Sequence, residues 1–510
     1  MKKLIVIFTL IALVTISGCS QDYIAVLPLD PLTLQDVLTI SQQRREGIIK
    51  PSIEYASQFI QQREERTINP ARFVSTRRNP QTVTYQEAIE DFNMFADALR
   101  QLYTGYTYFG GDEVFLPIFE QVRNSLASQE IWLVNDFMKY IFDALNPVIN
   151  DGHFYLANHS GSNQWHVSFD NQYDFLIPIN FSDIFDKSEN GFRNRSTGHY
   201  IQELLMEGLP LDFETENIFR LSLSEDGAFY YSIVIKNVRD STSTNNSKTV
   251  TIVYDNGRSD NITVSPIPEP EIPYEAVSLQ HIQGLPIATI RSMYNPPSPE
   301  NLLHYYSANK FLELAEDLRN ESVVIVDVRS NMGGDHFLPM MWLHTFTGEI
   351  IPTNFIGIRH LGLGSAGDLF GYWNHLYEYD APLPIDELHR FVFTQEDRII
   401  PNNQLLIILT DRYTASAAEF LTDMAFNLEN TLVIGQNTWG LLKAGGNGHR
   451  FILPNSTGVF FFGQELLIHP PGHLPEGVGM DPDLWVNGNA LEATIAMLIA
   501  NEYYINKLFR

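Results

Sequence analysis

Cysteine is almost absent from this chain. Cys19 is the only cysteine among 510 residues. A single thiol excludes an internal disulfide and any metal site that needs several cysteines. The sequence also lacks an H-E-x-x-H segment or a comparable spacing of metal ligands. Metal binding is therefore disfavoured.

Basic residues are scarce as well. The chain has 33 lysines and arginines against 61 aspartates and glutamates, which gives a formal net charge of -28 at pH 7. A surface of this charge repels the phosphate backbone of nucleic acids, so a nucleic-acid partner is not expected. The acidic residues are spread along the chain without long blocks, a distribution typical of a surface that keeps a protein in solution.

Long apolar runs are confined to the first residues. Two lysines precede an apolar run that ends near Ile16, and small residues follow before Cys19. This order predicts a lipoprotein signal peptide over residues 1–18, because the segment Ile16-Ser17-Gly18-Cys19 resembles a bacterial lipobox. We expect lipidation of Cys19 to anchor the protein to a bacterial membrane in the cell envelope, on the periplasmic side or at the cell surface. An ordinary signal peptide with an incidental cysteine is the alternative.

Composition and periodicity divide the rest of the chain. Residues 19–82 mix turn residues with polar runs and are expected to form a tether and an N-terminal segment. Residues 83–150 are expected to form a helical domain, because apolar side chains recur there at spacings of three and four. The clearest stripe of this kind contains Phe92, Phe95, Ala98, Leu99 and Leu102.

The second half of the chain has strand patterns. Residues 151–275 contain aromatic and β-branched runs, such as FYYSIVIKNV, separated by turn-rich stretches, and predict a β-rich module. Residues 276–500 alternate strands with helices, a pattern typical of an α/β fold with a largely buried sheet.

Ser416 lies where such a fold places its functional groups. It follows the apolar run LLIILT, which has the character of a buried strand. Ser416-Ala417-Ala418-Glu419 also matches the S-x-x-E pattern of a helix capping box, and the local sequence alone favours that structural role. A serine hydroxyl does not attack a carbonyl unaided, so a catalytic role needs a base and amide groups that bind an oxyanion.

A glycine pair is the candidate source of those amides. Gly333 and Gly334 follow the apolar run VVIVDV. Their N–H groups can approach a substrate carbonyl closely, alongside the amide of Ala417 at a helix N-terminus. These three amides form a candidate oxyanion hole. A tight turn between a strand and a helix is the structural alternative.

Four segments occur in a fixed order between about residues 280 and 490: DVRSNMGG, YTASAAE, IGQNTWG and GVGMDPD. Together they resemble the motifs of the tail-specific protease superfamily, the serine peptidase family that contains the C-terminal processing peptidases and the tricorn core. The resemblance implies a ClpP/crotonase-like βα core, a peptide or unfolded protein substrate, and no cofactor. In that family the serine of T-A-S is the nucleophile, which implies this role for Ser416.

The general base departs from the processing-peptidase pattern. Those peptidases use a lysine directly after the T-x-G segment, where this chain has Leu441, which cannot accept a proton. Lys443 faces the same side if the segment is a strand, but it lies about 7 Å further along the chain.

The tricorn-like branch of the family uses a histidine in an Asp-Gly-His segment after a helical leader. Asp151-Gly152-His153 occupies that place, so the resemblance implies that His153 is the base and that the chain is closer to this branch. A late glutamate belongs to the catalytic array of that branch, and Glu476 is the best match. Asp151 and Asp335 are alternatives for the carboxylate that orients the imidazole.

Processing peptidases often carry a PDZ domain that binds a substrate C-terminus. Residues 151–275 lack a Gly-Leu-Gly-Phe-type carboxylate loop, which leaves a degenerate PDZ-like module open and gives no reason to expect recognition of C-terminal tails. The leading hypothesis is an exported, lipid-anchored serine peptidase that acts through an acyl-enzyme. The alternative is a catalytically inactive family member that binds a peptide or an apolar ligand, which a wide separation of Ser416 and His153 would favour.

Overall fold

The structure of the chain is a computed structural model. It describes residues 31–48, 50–59, 73, 79–158, 163–166, 173–178, 184–213, 217–238, 247–267, 276–293, 302–360, 389–393, 399–445, 449–463, 465–469, 476–502 and 505–506. The helices in these ranges are α1 Leu34–Glu46, α2 Ile53–Ser57, α3 Tyr85–Leu102, α4 Gly111–Leu126, α5 Val134–Leu145, α6 Leu302–Leu318, α7 Phe337–Thr347, α8 Ala417–Ala425 and α9 Ala490–Ala500.

The strands follow the chain from the helical part to the C-terminal part. The first fourteen are β1 Thr82–Thr84, β2 Ile131–Leu133, β3 Tyr155–Ala157, β4 Gln164–His166, β5 Tyr173–Pro178, β6 Phe185–Ser188, β7 Gly191–Asn194, β8 Ile201–Met206, β9 Leu209–Leu211, β10 Phe219–Leu223, β11 Phe229–Ile233, β12 Ile235–Val238, β13 Lys248–Tyr254 and β14 Ser259–Pro266. The others are β15 Val277–Ile282, β16 Leu285–Ile290, β17 Val323–Asp327, β18 Ile356–His360, β19 His389–Phe393, β20 Leu405–Thr410, β21 Thr431–Gly435, β22 Ala444–Gly445, β23 His449–Ile452, β24 Val459–Phe462, β25 Glu465–Ile468 and β26 Leu484–Trp485.

A ten-stranded sheet forms the centre of the molecule, in the order β15-β16-β17-β20-β21-β26-β10-β11-β6-β7. The strands from β16 to β10 in this order pair in parallel, and the outer strands pair antiparallel. β17 and β20 are buried along their whole length. Their continuous apolar runs predict this, because a parallel strand is covered on both faces.

Helices cover both faces of the central sheet. On one face α6, α7 and α8 pack against side chains such as Val324, Val326 and Ile408. On the other face α1 and α9 pack against side chains such as Ile325 and Ile407. Successive strand residues point to opposite faces, which explains the alternation. The fold is therefore mixed α/β, as the sequence predicts.

The parallel strands bring three loops to one edge of the sheet. The carboxyl ends of β17, β20 and β21 meet there, because parallel neighbours run in the same direction. The segments that follow these strands contain Gly333, Ser416 and Leu441. A candidate site at this edge agrees with the usual position of sites in open α/β sheets.

Helix α1 is a layer of the core. Leu34, Val37 and Leu38 are buried in the same apolar cluster as the strands of the central sheet. The Arg45 guanidinium, also buried, lies 2.5 Å from Asp483 Oδ2. A buried charge is tolerated only when it is paired and hydrogen-bonded. The ion pair therefore fastens the N-terminal segment to the segment GVGMDPD.

Helices α3, α4 and α5 form a second apolar core with β3 and β24. The stripe predicted for α3 is buried there and consists of Phe92, Phe95, Ala98, Leu99 and Leu102. This core brings the residue after α3, Tyr103, next to the loop after α5, since the Tyr103 hydroxyl donates to Asp151. The helical part thus contributes directly to the environment of His153.

All the regular elements described between residues 151 and 275 are strands, and they belong to three sheets. β3 and β4 pair with β23 and β24, while β6, β7, β10 and β11 extend the central sheet. The remaining strands form a six-stranded sheet in the order β12-β5-β14-β13-β8-β9. The boundaries 19–82, 83–150, 151–275 and 276–500 stay predictions of domain organisation.

None of the helices in the described ranges combines the length and apolar character needed to span a bilayer. The signal peptide over residues 1–18 and the lipidation of Cys19 fall on residues outside the described ranges. Both therefore stay predictions from sequence.

The role of α1 in the core is testable with two adjacent arginines. We expect Arg45→Met to lower the free energy of unfolding by about 3–5 kcal/mol, because it leaves the buried Asp483 without its buried partner. The matched control is Arg44→Met. The Arg44 side chain also pairs with Asp483 but is 40% exposed, so its loss should cost no more than about 1 kcal/mol. Urea unfolding of both variants measures the difference, and equal small losses would contradict the packing of α1 on the core.

Candidate active site

Ser416 stands between β20 and α8 in a backbone conformation that favours glycine. Its φ is 51° and its ψ is -117°. A residue with a Cβ in such a region costs roughly 1–3 kcal/mol and persists only where the surroundings enforce it. Strained residues of this kind concentrate at functional sites, and a serine on a sharp strand-to-helix turn exposes its hydroxyl.

The buried carboxylate of Glu419 holds this turn in place. It accepts four hydrogen bonds, from the N–H groups of Ser416, Gly440 and Leu441 at 2.8–2.9 Å and from the hydroxyl of Thr438 at 2.5 Å. Burial raises the pKa of Glu419, and the four donors oppose that effect. The glutamate of the S-x-x-E pattern therefore caps the helix and also ties it to the segment TWGL.

The structure brings His153 to Ser416. His153 Nε2 lies 3.4 Å from Ser416 Oγ, although the two residues are 263 positions apart. Burial lowers the pKa of His153, and the Asp151 charge opposes this in part. A neutral imidazole can accept a proton, so the pair has the arrangement of a nucleophile and its general base.

Two carboxylates lie beside the imidazole. One ligand-type atom from each of Asp151, His153 and Glu476 falls within 4.8 Å of the others. Asp151 Oδ1 is 4.0 Å from His153 Nδ1 of the ring and accepts the backbone N–H of His153 at 2.8 Å. Burial raises the pKa of Asp151. Burial together with the Asp151 charge raises the pKa of Glu476 well above its ordinary value.

Glu476 links two loops through hydrogen bonds. Its carboxylate accepts the N–H of Gly152 at 2.8 Å, of Lys443 at 2.8 Å and of Leu442 at 3.2 Å. The first of these amides belongs to the His153 loop, and the other two follow the TWG segment. Glu476 therefore lies beside His153, and its hydrogen bonds hold the backbone around the histidine.

Asp335, an alternative for the orienting carboxylate, and Lys443, an alternative base, make other contacts. Asp335 accepts the N–H of Phe337 at the start of α7. Lys443 Nζ donates to the Tyr108 hydroxyl at 3.0 Å and lies 4.9 Å from the centre of that ring. No hydrogen bond joins Lys443 to Ser416 in the described part of the chain. Burial raises the pKa values of Asp151 and Glu476, and the positive charge of Lys443 opposes this increase in part.

The three candidate oxyanion amides differ in their hydrogen bonds. Gly333 is packed so closely that an added Cβ would lie 2.7 Å from the Ser416 Cβ and 2.9 Å from the Ala417 nitrogen. Its N–H, however, donates to Asn331 Oδ1 at 2.8 Å and is engaged. Within the described residues no acceptor is found for the N–H of Gly334 or Ala417. These two amides remain available for an oxyanion.

The same side chains are the potential metal ligands. Asp151, His153 and Glu476 form the one cluster of three such groups found in the described ranges. Both carboxylates also accept N–H groups already. This arrangement suits acid-base chemistry better than ion binding.

Two residues of the site could not be selected from sequence patterns. Tyr103, which donates to Asp151 Oδ2 at 2.8 Å, is one of 23 tyrosines and lies outside every motif. Glu419 was visible only as a capping residue, and its bonds to the TWGL segment join distant parts of the chain. No local pattern reports contacts of this kind.

No protein-family model matches the sequence, and no curated protein matches it. Solved structures similar to this chain include mature CPAF, with 12% identity, a TM-score of 0.38, and coverage of 83% of this chain and 96% of that chain. The photosystem II D1 C-terminal processing protease has 12% identity, a TM-score of 0.36, and coverage of 84% and 98%. The tricorn protease has 13% identity, a TM-score of 0.34, and coverage of 84% and 37%. Since these TM-scores are below 0.5, the function has to be inferred from the geometry of the site.

The strain at Ser416 can be measured without any assay of activity. Ser416→Gly and Ser416→Ala both remove the hydroxyl, but only glycine adopts the observed backbone freely. We expect the glycine variant to be more stable than the alanine variant by roughly 1 kcal/mol, which is the strain reduced by the greater chain entropy of unfolded glycine. Thermal unfolding measures this difference.

Ser125 in helix α4 supplies the control pair. There glycine should be less stable than alanine by up to about 1 kcal/mol, because Ser125 lies in the last turn of a helix. The same order of stability at Ser416 as at Ser125 would show that Ser416 is not strained.

Proposed function

We propose that the chain is an exported, lipid-anchored serine peptidase of the tail-specific protease superfamily, closer to its tricorn-like branch. It hydrolyses peptide bonds in peptides or unfolded protein segments through an acyl-enzyme. The observation that carries this proposal is the 3.4 Å approach of His153 Nε2 to Ser416 Oγ. Ordered motifs that resemble those of the family support it, as does the strained backbone of Ser416.

The proposed reaction begins with proton transfer. His153 Nε2 takes the proton of Ser416 Oγ as the oxygen attacks the scissile carbonyl carbon. The N–H groups of Gly334 and Ala417 bind the oxyanion of the tetrahedral intermediate, since the amide of Gly333 is engaged. The protonated His153 then gives its proton to the leaving amine. Water, deprotonated by the same imidazole, hydrolyses the acyl-enzyme.

Glu476 completes the proposed catalytic array. Its carboxyl group fixes the loop of His153 through Gly152 and lies within 4.8 Å of the imidazole. A carboxyl group in this place holds a catalytic histidine in position, as the third member of a triad does. No step of the proposed reaction requires a metal or another cofactor.

The place of the protein in the cell rests on sequence. The signal over residues 1–18 and the lipobox-like segment before Cys19 support an anchor in the bacterial cell envelope. The ClpP/crotonase-like character of the core and a degenerate PDZ-like character of residues 151–275 are proposals that rest on the motif resemblance.

Labelling with a fluorophosphonate probe tests the nucleophile and the base together. The probe phosphonylates only an activated serine, so we expect wild type to label and Ser416→Ala and His153→Ala to lose at least about 1000-fold in rate, the loss typical of a triad member. Fluorescence of the labelled band over time measures the rate.

Two further variants serve as controls. His199→Ala removes a histidine of the β-rich segment that pairs with Asp255 and should label like wild type. Lys443→Met removes the rival base and should keep most of the rate. Labelling that survives His153→Ala, or that disappears in Lys443→Met, would contradict the assigned base. A folded wild type that does not label would favour the alternative of an inactive binding protein.

The pH dependence of labelling gives an independent test of the base. Burial lowers the pKa of His153 from its ordinary value of 6.5, so the imidazole stays neutral, and able to accept a proton, below that pH. We expect the labelling rate to be constant near neutrality and to fall only below about pH 6.5. A rate that keeps rising towards about pH 10 would instead indicate a lysine base.

A further inference from the structure

Asp151 and Tyr103 form a buried hydrogen-bonded pair directly behind His153. The Tyr103 hydroxyl donates to Asp151 Oδ2 at 2.8 Å, and the backbone N–H of His153 donates to Asp151 Oδ1 at 2.8 Å. Tyr103 is 1% exposed and Asp151 is 0% exposed. We propose that Tyr103 and Asp151 are positioning residues for His153, an inference that rests on the proposed function of Ser416 and His153.

The imidazole has one nitrogen without a partner. His153 Nε2 faces Ser416, while Nδ1 is buried and has no hydrogen-bond partner among the described residues. Asp151 Oδ1 stands 4.0 Å from Nδ1. When Nε2 takes a proton, Nδ1–H carries part of the positive charge and needs an acceptor. The second side-chain torsion of histidine is soft, so a small turn of the ring brings Nδ1–H towards Asp151.

Glu476 is less suited to this role. Its two oxygens already accept three backbone N–H groups, from Gly152, Leu442 and Lys443. Asp151 accepts one backbone N–H and one hydroxyl, so it keeps the capacity for a further hydrogen bond. Glu476 therefore fixes the loop backbone, whereas Asp151 accepts the hydrogen bond from Nδ1–H of the imidazolium.

Tyr103 fixes the direction of the Asp151 carboxylate. Burial and the Asp151 charge raise the pKa of Tyr103 well above its ordinary value, so its hydroxyl remains a donor. The tyrosine ring packs against Phe154 and Phe462, with ring centres at 5.8 Å and 5.4 Å. Since Tyr103 directly follows α3, the helical part of the chain sets the geometry of the base.

The charged and titratable groups around His153 come from four segments. Asp151 lies in its own loop, Glu476 in the segment before GVGMDPD, Lys443 after the TWG segment and Tyr103 at the end of α3. The Lys443 charge favours the ionised forms of both carboxylates. Loss of the Asp151 charge would remove an interaction that raises the pKa of His153.

The test compares Asp151→Asn, Tyr103→Phe and Tyr106→Phe in the full-length protein. Tyr106 is the matched control, because it is also 1% exposed and its hydroxyl donates to a carboxylate, that of Asp112, away from His153. Histidine-selective NMR follows the titration of His153, which the loss of one resonance in His153→Ala identifies. Fluorophosphonate labelling is measured on the same samples.

We expect the pKa of His153 to fall in Asp151→Asn, because the negative charge that raises it is gone. In Tyr103→Phe it should fall by less, since the Asp151 carboxylate loses the hydroxyl that favours its ionised form. The labelling rate should drop about 100-fold in Asp151→Asn and about 10-fold in Tyr103→Phe, the range found for residues that orient a functional histidine. Tyr106→Phe should change neither quantity.

An unchanged His153 titration in both variants would overturn the positioning role, as would an equal change in Tyr106→Phe. If Asp151→Asn does not fold, Tyr103→Phe decides the question. A wild type that does not label would count against the peptidase. The titration would still test the positioning role, so the two failures can be told apart.

Discussion

Two buried carboxylates hold the segment from Thr438 to Lys443, and the candidate site depends on this constraint. Glu419 binds Thr438, Gly440 and Leu441 on one side, and Glu476 binds Leu442 and Lys443 on the other. Glu419 also accepts the N–H of the proposed nucleophile, Ser416, and Glu476 accepts the N–H of Gly152, which precedes His153. Hydrogen bonds to a charged acceptor contribute about 1.5–3 kcal/mol each. Through these two carboxylates, the segment holds the backbone at Ser416 and next to His153 in fixed positions.

Leu441 stands where the motif of the processing peptidases has a lysine. Leu441 contributes its backbone N–H to Glu419, a role that any residue except proline can fill. Lys443 is turned towards Tyr108 and balances part of the negative charge of Asp151 and Glu476. In the proposed reaction, proton transfer falls to the imidazole of His153, whose Nε2 lies 3.4 Å from Ser416 Oγ.

Much of the fold was visible in the sequence, because it depends on local patterns. The apolar runs of β17 and β20 and the stripe of α3 are repeated features that one stretch of chain displays. The pairing of strands was not visible, and strands between residues 151 and 275 join three different sheets. The sequence also left open that α1 packs under the central sheet, since the Arg45–Asp483 pair joins residues 438 positions apart.

The residues of the site also fall into those that sequence motifs indicate and those that depend on contacts between distant parts of the chain. Motif resemblance pointed to Ser416, His153 and Glu476, and these residues lie together in the structure. Tyr103 could not be found, because a tyrosine that follows a helix and lies outside every motif looks like any other core residue. Which amide remains available for an oxyanion was also hidden, because it depends on the side chain of Asn331.

The most direct test of the account is the structure of the protein after reaction with a fluorophosphonate. We expect phosphorus bonded to Ser416 Oγ, the phosphoryl oxygen within about 3 Å of the Gly334 and Ala417 nitrogens, and His153 Nε2 within hydrogen-bond reach of the phosphonate. An adduct on another residue would contradict the proposed chemistry, as would a phosphoryl oxygen directed away from both amides.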